Sequence, residues 1–477
     1  MKRTRRHNIG NVAKAVCATT LAFVSMGSAV ALAAPDEPDN AVGSSSHGDA
    51  APGQSAAEPE KHASTKDSDE RRWGGIDGKR FGDSIRKTER VTYPDAGIAP
   101  QSTCDVTGDL HNDLIFINAT YKELFVVPYI PYGDKTDGLE RSIAKQPEVL
   151  RFQLPHTIDG TNDWRISCVK TQRGVKASLA LANSTNLYIT KPEQLNASGA
   201  LPIHSHYQFV HNISAISPIT PGIDEVGLVV SAGENLYYYK SLPAGQAPKQ
   251  GADKATKIWT LDDAADTVLA PLGYVLDKDV TIGVGIHSRD HVYALPLGAD
   301  SGNIDDVAMA VTGTEGTSFG SSLVGISDVN GDEVDDFAIG APKANGGAGA
   351  IGVIYGGKSS KVAVDLSATT TSAVRRDGET AGTLLRQVAR GRIGTHLAFI
   401  PGVDEDRPGA LVVSRPDHEE HPGALIISAS VLSTNWNTGA GIDGIPASSM
   451  VWLASDEGKG DGGYFVGSIP SADDDKQ

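Results

Sequence analysis

The sequence predicts an all-β fold: a ring of β-sheets of the propeller kind with seven blades, six being the alternative. Three observations predict it. Glycine is abundant (53 of 477 residues) and aromatic residues are scarce (6%), which suits short strands and tight turns over long helices. No helical periodicity longer than a few turns stands out. One unit, an apolar strand, a turn of small polar residues and a second apolar strand, recurs six times.

The chain opens on what reads as an export signal, residues 1–34. Lys2, Arg3, Arg5, Arg6 and Lys14 form a basic start, Val16 to Ala34 is almost wholly small and apolar, and Ala31-Leu32-Ala33 offers a small-x-small cleavage site. A retained membrane anchor is the alternative. The twin arginine Arg5-Arg6 lacks the apolar residues expected next, and Cys17 precedes the apolar run instead of ending it, which argues against lipidation. Residues 35–72 are Ala, Ser, Pro, Gly and charged side chains with almost nothing large and apolar. Such a segment cannot offset its ordering entropy and is expected to be a disordered linker. The propeller is expected over 73–477.

Six hairpins follow, starting at Asp113, Ala177, Glu225, Asp279, Asp336 and Gly409. A lone two-stranded hairpin is marginal in water; six in series must pack face to face, and radial stacking leaves only short edges exposed. Two units align without a gap: Ile393–Ser414 lies 74 residues after Phe319–Gly340, with Gly394 on Gly320, Leu397 on Leu323, Asp406 on Asp332 and Val413 on Ile339. The C-terminal "GGYFVGSIPSADDDKQ" is a strand without a hairpin, and "GKRFGDSIRKTERVTY" near the N-terminus has strand character without a repeat. A composite blade shared between the two ends gives seven.

The densest charge is a nine-residue turn, Asp328 to Asp336. Asp328, Asn330, Asp332, the Val334 carbonyl and Asp336 stand two residues apart, and on a curled turn they point into one small space. That is an all-oxygen cage for a hard cation such as Ca²⁺; without the ion the carboxylates repel one another. Gly331 frees the backbone where it must bend. The spacing recurs at Asp105, Thr107, Asp109, the His111 carbonyl and Asp113, with Thr107 the poorer ligand. A solvated acidic turn is the alternative at both. The turn at Gly402–Ala410 lacks the carboxylates at positions one and nine, those at Pro221–Gly227 and Tyr274–Val280 are too short or too sparse, and all three are expected to be metal-free.

Phe319-Gly320, the acidic nonamer and Gly340-Ala341-Pro342 together resemble an FG-GAP repeat, the blade unit of integrin α-subunit propellers and of many secreted bacterial proteins. Residues 391–432 resemble a degenerate copy, and 105–130 keep the metal turn alone. The resemblance implies a seven-bladed propeller with Ca²⁺ in turns between blade strands. The family usually has Gly at position six of the turn, where this chain has Glu333 and Leu110.

Removing the signal leaves Cys104 and Cys168, which form either one disulfide or two separate buried thiols. Five of the 42 basic and none of the 59 acidic residues lie in 1–34, so the mature chain carries about −22, which disfavours phosphate-backbone binding. No transmembrane anchor is expected in the mature chain, and a monomer released to the medium or held non-covalently at the wall is expected. No G-x-S-x-G, H-E-x-x-H, P-loop or C-x-x-C pattern is present. Four further groups have a bland reading that outweighs the functional one. His204, His206 and His211 read as scattered polar positions. His418, Glu419, Glu420 and His421 read as a solvated turn. Asp159 to Trp164 reads as an inter-blade turn. Tyr237-Tyr238-Tyr239 alternates across a strand, one side packing between blades and the other facing out, and inter-sheet packing is the better reading.

The expected function is therefore a non-catalytic binding or adhesion module for an extracellular protein or glycan, with ligand loops at Leu242–Lys257 and Gly357–Arg392. The competing reading is a secreted hydrolase or lyase acting on polysaccharide or lipid from the propeller channel. A purely structural envelope protein is the third.

Overall fold

The computed structural model describes residues 17–25, 89–92, 98–108 and, with internal gaps of which the longest is 128–139, 113–454 and 464–472. It is an all-β propeller. Six antiparallel four-stranded units follow one another. Unit A is Ile98–Cys104, Asp113–Asn118, Glu123–Val127 and Leu150–Gln153. Unit B is Trp164–Val169, Ser178–Asn183, Asn186–Thr190 and Ile203–Gln208. Unit C is Ile213–Gly222, Glu225–Ala232, Asn235–Tyr239 and Lys257–Thr260. Unit D is Thr267–Leu276, Asp279–Ile286, His291–Pro296 and Met309–Thr312. Unit E is Ser322–Ile326, Asp336–Ala341, Ala350–Ile354 and Gly382–Arg386. Unit F is Leu397–Ile400, Ala410–Arg415, Gly423–Ser428 and Met450–Ala454. Each predicted hairpin supplies the second and third strands of one unit.

A further sheet joins the two ends of the chain: Tyr464–Ala472, Cys17–Ser25, Glu89–Thr92 and Glu140–Ser142, in that order. Its strand Tyr464–Ala472 runs beside both Leu397–Ile400 and Ile98–Cys104. Cys17–Ser25 falls inside the segment expected to be a signal; the rest of that segment, and the linker 35–72, lie outside the described residues.

Apolar side chains fill the spaces between successive units, since each sheet buries both faces against its neighbours. Ile115, Phe152, Trp164 and Leu181 pack between A and B, and Tyr207, Phe209, Leu228 and Tyr239 between B and C. Leu236, Trp259, Ile282 and Leu295 lie between C and D, Val292, Phe319, Phe337 and Leu384 between D and E, and Ile351, Leu385, Leu411 and Ile427 between E and F. Among the described residues these are five packed interfaces, fewer than the six or seven that a closed ring of six or seven blades requires. Two-sided burial bears out inter-sheet packing for Tyr237-Tyr238-Tyr239 and corrects the outward-facing side. All three are buried, Tyr238 against unit D and the other two against unit B; neither side faces out.

The 74-residue offset holds in the strand register. Leu323 pairs with Ile339 and Leu397 with Val413. Gly320 and Gly394 both take a positive φ, 93° and 81°. Gly340 sits where units E and F touch: a Cβ there would lie 2.0 Å from the Gly394 carbonyl oxygen. The strand can come this close only without a side chain.

The long connections, expected to carry ligand loops, hold edge strands. Leu242–Lys257 contains Gly245–Gln250, paired parallel with Ile203–Gln208 of unit B. Gly357–Arg392 contains Val362–Val364, paired parallel with Met309–Thr312 of unit D, then Val374–Arg376, Glu379–Thr380 and the fourth strand of unit E.

Candidate metal turns

Both acidic turns join the first strand of a unit to its second, Asp105–Asp113 in unit A and Asp328–Asp336 in unit E. Their hydrogen bonds correspond position by position. The first carboxylate accepts from the backbone N–H at position four: Gly331 N to Asp328 Oδ1 at 2.6 Å, and Gly108 N to Asp105 Oδ1 at 2.5 Å. The ninth accepts from position two: Val329 N to Asp336 Oδ2 at 2.9 Å, and Val106 N to Asp113 Oδ2 at 2.8 Å. Position four is glycine in both, with φ +84° in each. These bonds curl the backbone of the turn.

In the unit E turn, Asp328 Oδ2 accepts from Glu333 N at 2.7 Å. Asn330 and Asp332 bond each other, Asp332 N to Asn330 Oδ1 at 2.9 Å and Asn330 Nδ2 to Asp332 Oδ2 at 3.0 Å. Val334 N reaches Asp332 Oδ1 at 3.0 Å. Glu333 has φ +68°, a left-handed conformation that costs a side-chain-bearing residue about 1–2 kcal/mol. The departure from glycine at position six thus falls where the backbone needs glycine. In the unit A turn, the Thr107 hydroxyl donates to Asp113 Oδ1 at 3.2 Å, while Asp109, Leu110 and His111 lie outside the described residues.

Asp336 is fully buried. Burial pushes its carboxyl up to about 7; the N–H groups of Gly356 and Val329 oppose this, and the charges of Asp332 and Asp328 add to it. The donors in the turn are oxygens throughout, which fits a hard cation. Their side chains are turned to backbone N–H groups, and among the described residues no three His, Cys, Asp or Glu side chains stand together as a metal-holding group.

Sequence reasoning missed the cation beside this turn. The Arg376 guanidinium donates to the carbonyls of Gly356 (2.9 Å) and Tyr355, and Gly356 N donates to Asp336 Oδ1 at 2.9 Å. Burial lowers the Arg376 pKa, while Asp377, Asp332 and Asp336 hold it up. Only the folding-back of the connection after the third strand brings Arg376 here. Asp335 ties the turn to unit D by accepting from Tyr274 N at 2.8 Å.

Cys104, immediately before the unit A turn, is bonded to Cys168 of unit B, with Cα atoms 6.1 Å apart. The histidines do not assemble. His206 stacks on Tyr188 at 4.5 Å and meets Asn186 Oδ1 at 2.9 Å, with its pKa lowered by burial. His211 lies beyond the strand end, against Gly233. Trp164 is buried in the A–B core and His418 is buried, while Asp159, Glu419, Glu420 and His421 lie outside the described residues. Among the described residues, no helix is long and apolar enough to cross a membrane.

No family model and no curated protein matches the chain, so the FG-GAP resemblance rests on the residues quoted for it. Solved structures do match. The chain is similar to BBS1N in crystals of its complex with ARL6DN. In the lead-soaked crystal the identity is 13%, the TM-score 0.44, and 80% of this chain and 96% of that one are covered. In the mercury-soaked crystal the values are 12%, 0.37, 68% and 89%. A protein of unknown function from Bacteroides caccae matches at 10% identity and TM-score 0.33, covering 78% of this chain and 99% of that one.

Proposed function

We propose that this chain is an exported, calcium-binding β-propeller of FG-GAP type that acts as a non-catalytic binding or adhesion module for an extracellular protein or glycan. The observation that carries the calcium reading is the buried Asp336 carboxyl beside the charges of Asp328 and Asp332. A divalent cation would be held by these three carboxylates, the Asn330 side-chain oxygen and the Val334 carbonyl. It would supply the positive charge that the buried Asp336 carboxylate lacks, with the half-buried Asp328 and the exposed Asp332 completing the set. The second turn would use Asp105, Thr107, Asp109, the His111 carbonyl and Asp113. Because each turn joins two strands of one unit, the ion's role is structural, adding stability by linkage. Ligands would be taken on a ring face built from turns, which a rigid scaffold presents.

The test is calcium titration of metal-stripped protein followed by thermal melting, together with glycan and matrix-protein arrays. A melting temperature indifferent to calcium sinks the metal reading. Site-dependent turnover of a glycan, ester or phosphodiester would replace the binding module with the hydrolase or lyase.

A further inference from the structure

The Arg376 guanidinium reaches Asp336 through a single residue. It donates to the Gly356 carbonyl at 2.9 Å and to the Tyr355 carbonyl at 2.6 Å, and the Gly356 N–H donates to Asp336 Oδ1 at 2.9 Å. Two bonds to neighbouring carbonyls use the planar fork of arginine and fix where its charge sits. Its Nε is buried without a partner, so the head group gives up hydration to stay there. Burial lowers the pKa of this group, and Asp377, Asp332 and Asp336 oppose that. The backbone around it is tightly fastened. Gly357 N donates to the Val275 carbonyl at 2.8 Å, and a Cβ on Gly356 would lie 2.3 Å from the Asp335 carbonyl oxygen.

Unit D repeats the arrangement without the acidic nonamer. Asp279 opens its second strand, as Asp336 opens that of unit E. Gly298 stands two residues past its third strand, as Gly356 does in unit E. A Cβ on Gly298 would lie 2.5 Å from Asp279 Oδ2, so the carboxylate lies against that glycine. Lys257 Nζ donates to the carbonyls of Leu297, Gly298 and Ala299 at 2.9, 2.8 and 2.6 Å. Both cations come from the preceding sheet. Lys257 opens the fourth strand of unit C, and Arg376 lies in Val374–Arg376, which pairs with Val362–Val364 on the outer side of unit D. Leu276 pairs with Asp279, so the unit D turn is too short for a nine-residue cage. The cation therefore accompanies the carboxylate that opens the second strand, with the acidic nonamer and without it.

We propose that Arg376 is the resident counter-ion of the unit E turn: its charge balances Asp336 while no metal is bound and competes with a divalent cation for that carboxylate, so it sets how tightly the turn takes calcium. The competition rests on the calcium reading above; the counter-ion role does not. A fixed positive charge beside the cage favours the ionised carboxylate and repels an arriving Ca²⁺. The turn then keeps its shape in calcium-poor surroundings and binds the ion more weakly than its donor set allows.

Denaturant melts of the full chain at pH 8, with calcium chelated, compare the wild type, Arg376→Met, Asp336→Asn and the double variant. Arg376→Met should lower the folding equilibrium constant about thirtyfold alone and about threefold in the Asp336→Asn background, a coupling of about tenfold. Equal losses in the two backgrounds overturn the proposal. Isothermal titration with calcium chloride gives the second reading. Arg376→Met should bind calcium about tenfold more tightly than the wild type, and Arg376→Lys, which keeps the charge, should stay within about twofold of it. Lys257→Met, which removes the matching cation from a unit with no calcium turn, should leave the affinity unchanged. Unchanged affinity in Arg376→Met overturns the proposal, as does equal tightening in Arg376→Lys or Lys257→Met. Should Arg376→Met not fold, Arg376→Gln, neutral but still a donor to one carbonyl, is read in its place. Wild-type protein that takes up no calcium sinks the calcium reading and the competition with it, while the melts still decide the counter-ion role.

Discussion

The pH dependence of the metal-free protein follows from Asp336. Raised from 3.8 to about 7, at about 1.4 kcal/mol per pKa unit, its carboxyl opposes folding by about 4 kcal/mol once it is fully ionised. Between these two pH values the folded chain holds a proton that the unfolded chain has released. The stability tied to Asp336 is therefore complete below 3.8 and is lost as pH rises through 7. Other carboxylates add their own slopes, so the useful quantity is a difference from Asp336→Asn, which does not titrate. The amide has one acceptor oxygen where Asp336 accepts from both Val329 and Gly356, so its NH₂ is set against a backbone N–H, a pH-independent cost of about 1–3 kcal/mol. In metal-stripped protein, denaturant melts from pH 4 to 8 should show the wild type more stable at pH 4. That margin should shrink and invert by pH 8, a swing of about 4 kcal/mol. Calcium at about 100 times its dissociation constant should add about 2.7 kcal/mol to the wild type at pH 8 and little to the variant. A wild-type-minus-variant difference that stays flat across this range refutes the reasoning, as does equal stabilisation of both proteins by calcium.

Three further outcomes are expected. Glu333→Gly relieves the left-handed backbone already present at position six of the metal-free turn and should raise stability by about 1 kcal/mol in denaturant melts. Gly340→Ala drives a methyl group into the Gly394 carbonyl and should destabilise by about 3 kcal/mol or more in denaturant melts, whereas Gly331→Ala, with open space around it, should lose only the cost of its positive φ. Cys104→Ser removes a cross-link spanning 64 residues and should lower stability by about 4 kcal/mol on the chain-entropy estimate, with no further loss when Cys168→Ser is added.

The strand pairs were legible because hydrophobic patterning is a local signal. Each predicted hairpin became the second and third strands of a unit, and the matched phase of Leu323 and Leu397 became matched register. Both acidic turns fell at the joint where the nine-residue spacing places them. The connections were not legible. Leu242–Lys257 and Gly357–Arg392 show no clear period because their edge strands pair through the main chain: Gly245–Gln250 carries Pro248 and little that is apolar, and Val362–Val364 is too short to show alternation although Val362 and Val364 are buried. The same blind spot hid Arg376, whose place beside Asp336 depends on that fold-back. Inter-sheet packing of the tyrosine run was legible, but alternation along one strand does not reveal whether a second sheet also covers the far side.

The backward-reaching connections set an order on assembly. Leu150–Gln153, Ile203–Gln208, Lys257–Thr260 and Met309–Thr312, the fourth strands of units A to D, are each bordered by a parallel strand from the unit that follows, so a chain emerging from its N-terminal end is stitched shut one unit behind its growing tip. A protein cut short after any unit would be worse than one blade smaller, because it would end on a raw margin that its missing neighbour was meant to hem, and that margin invites aggregation.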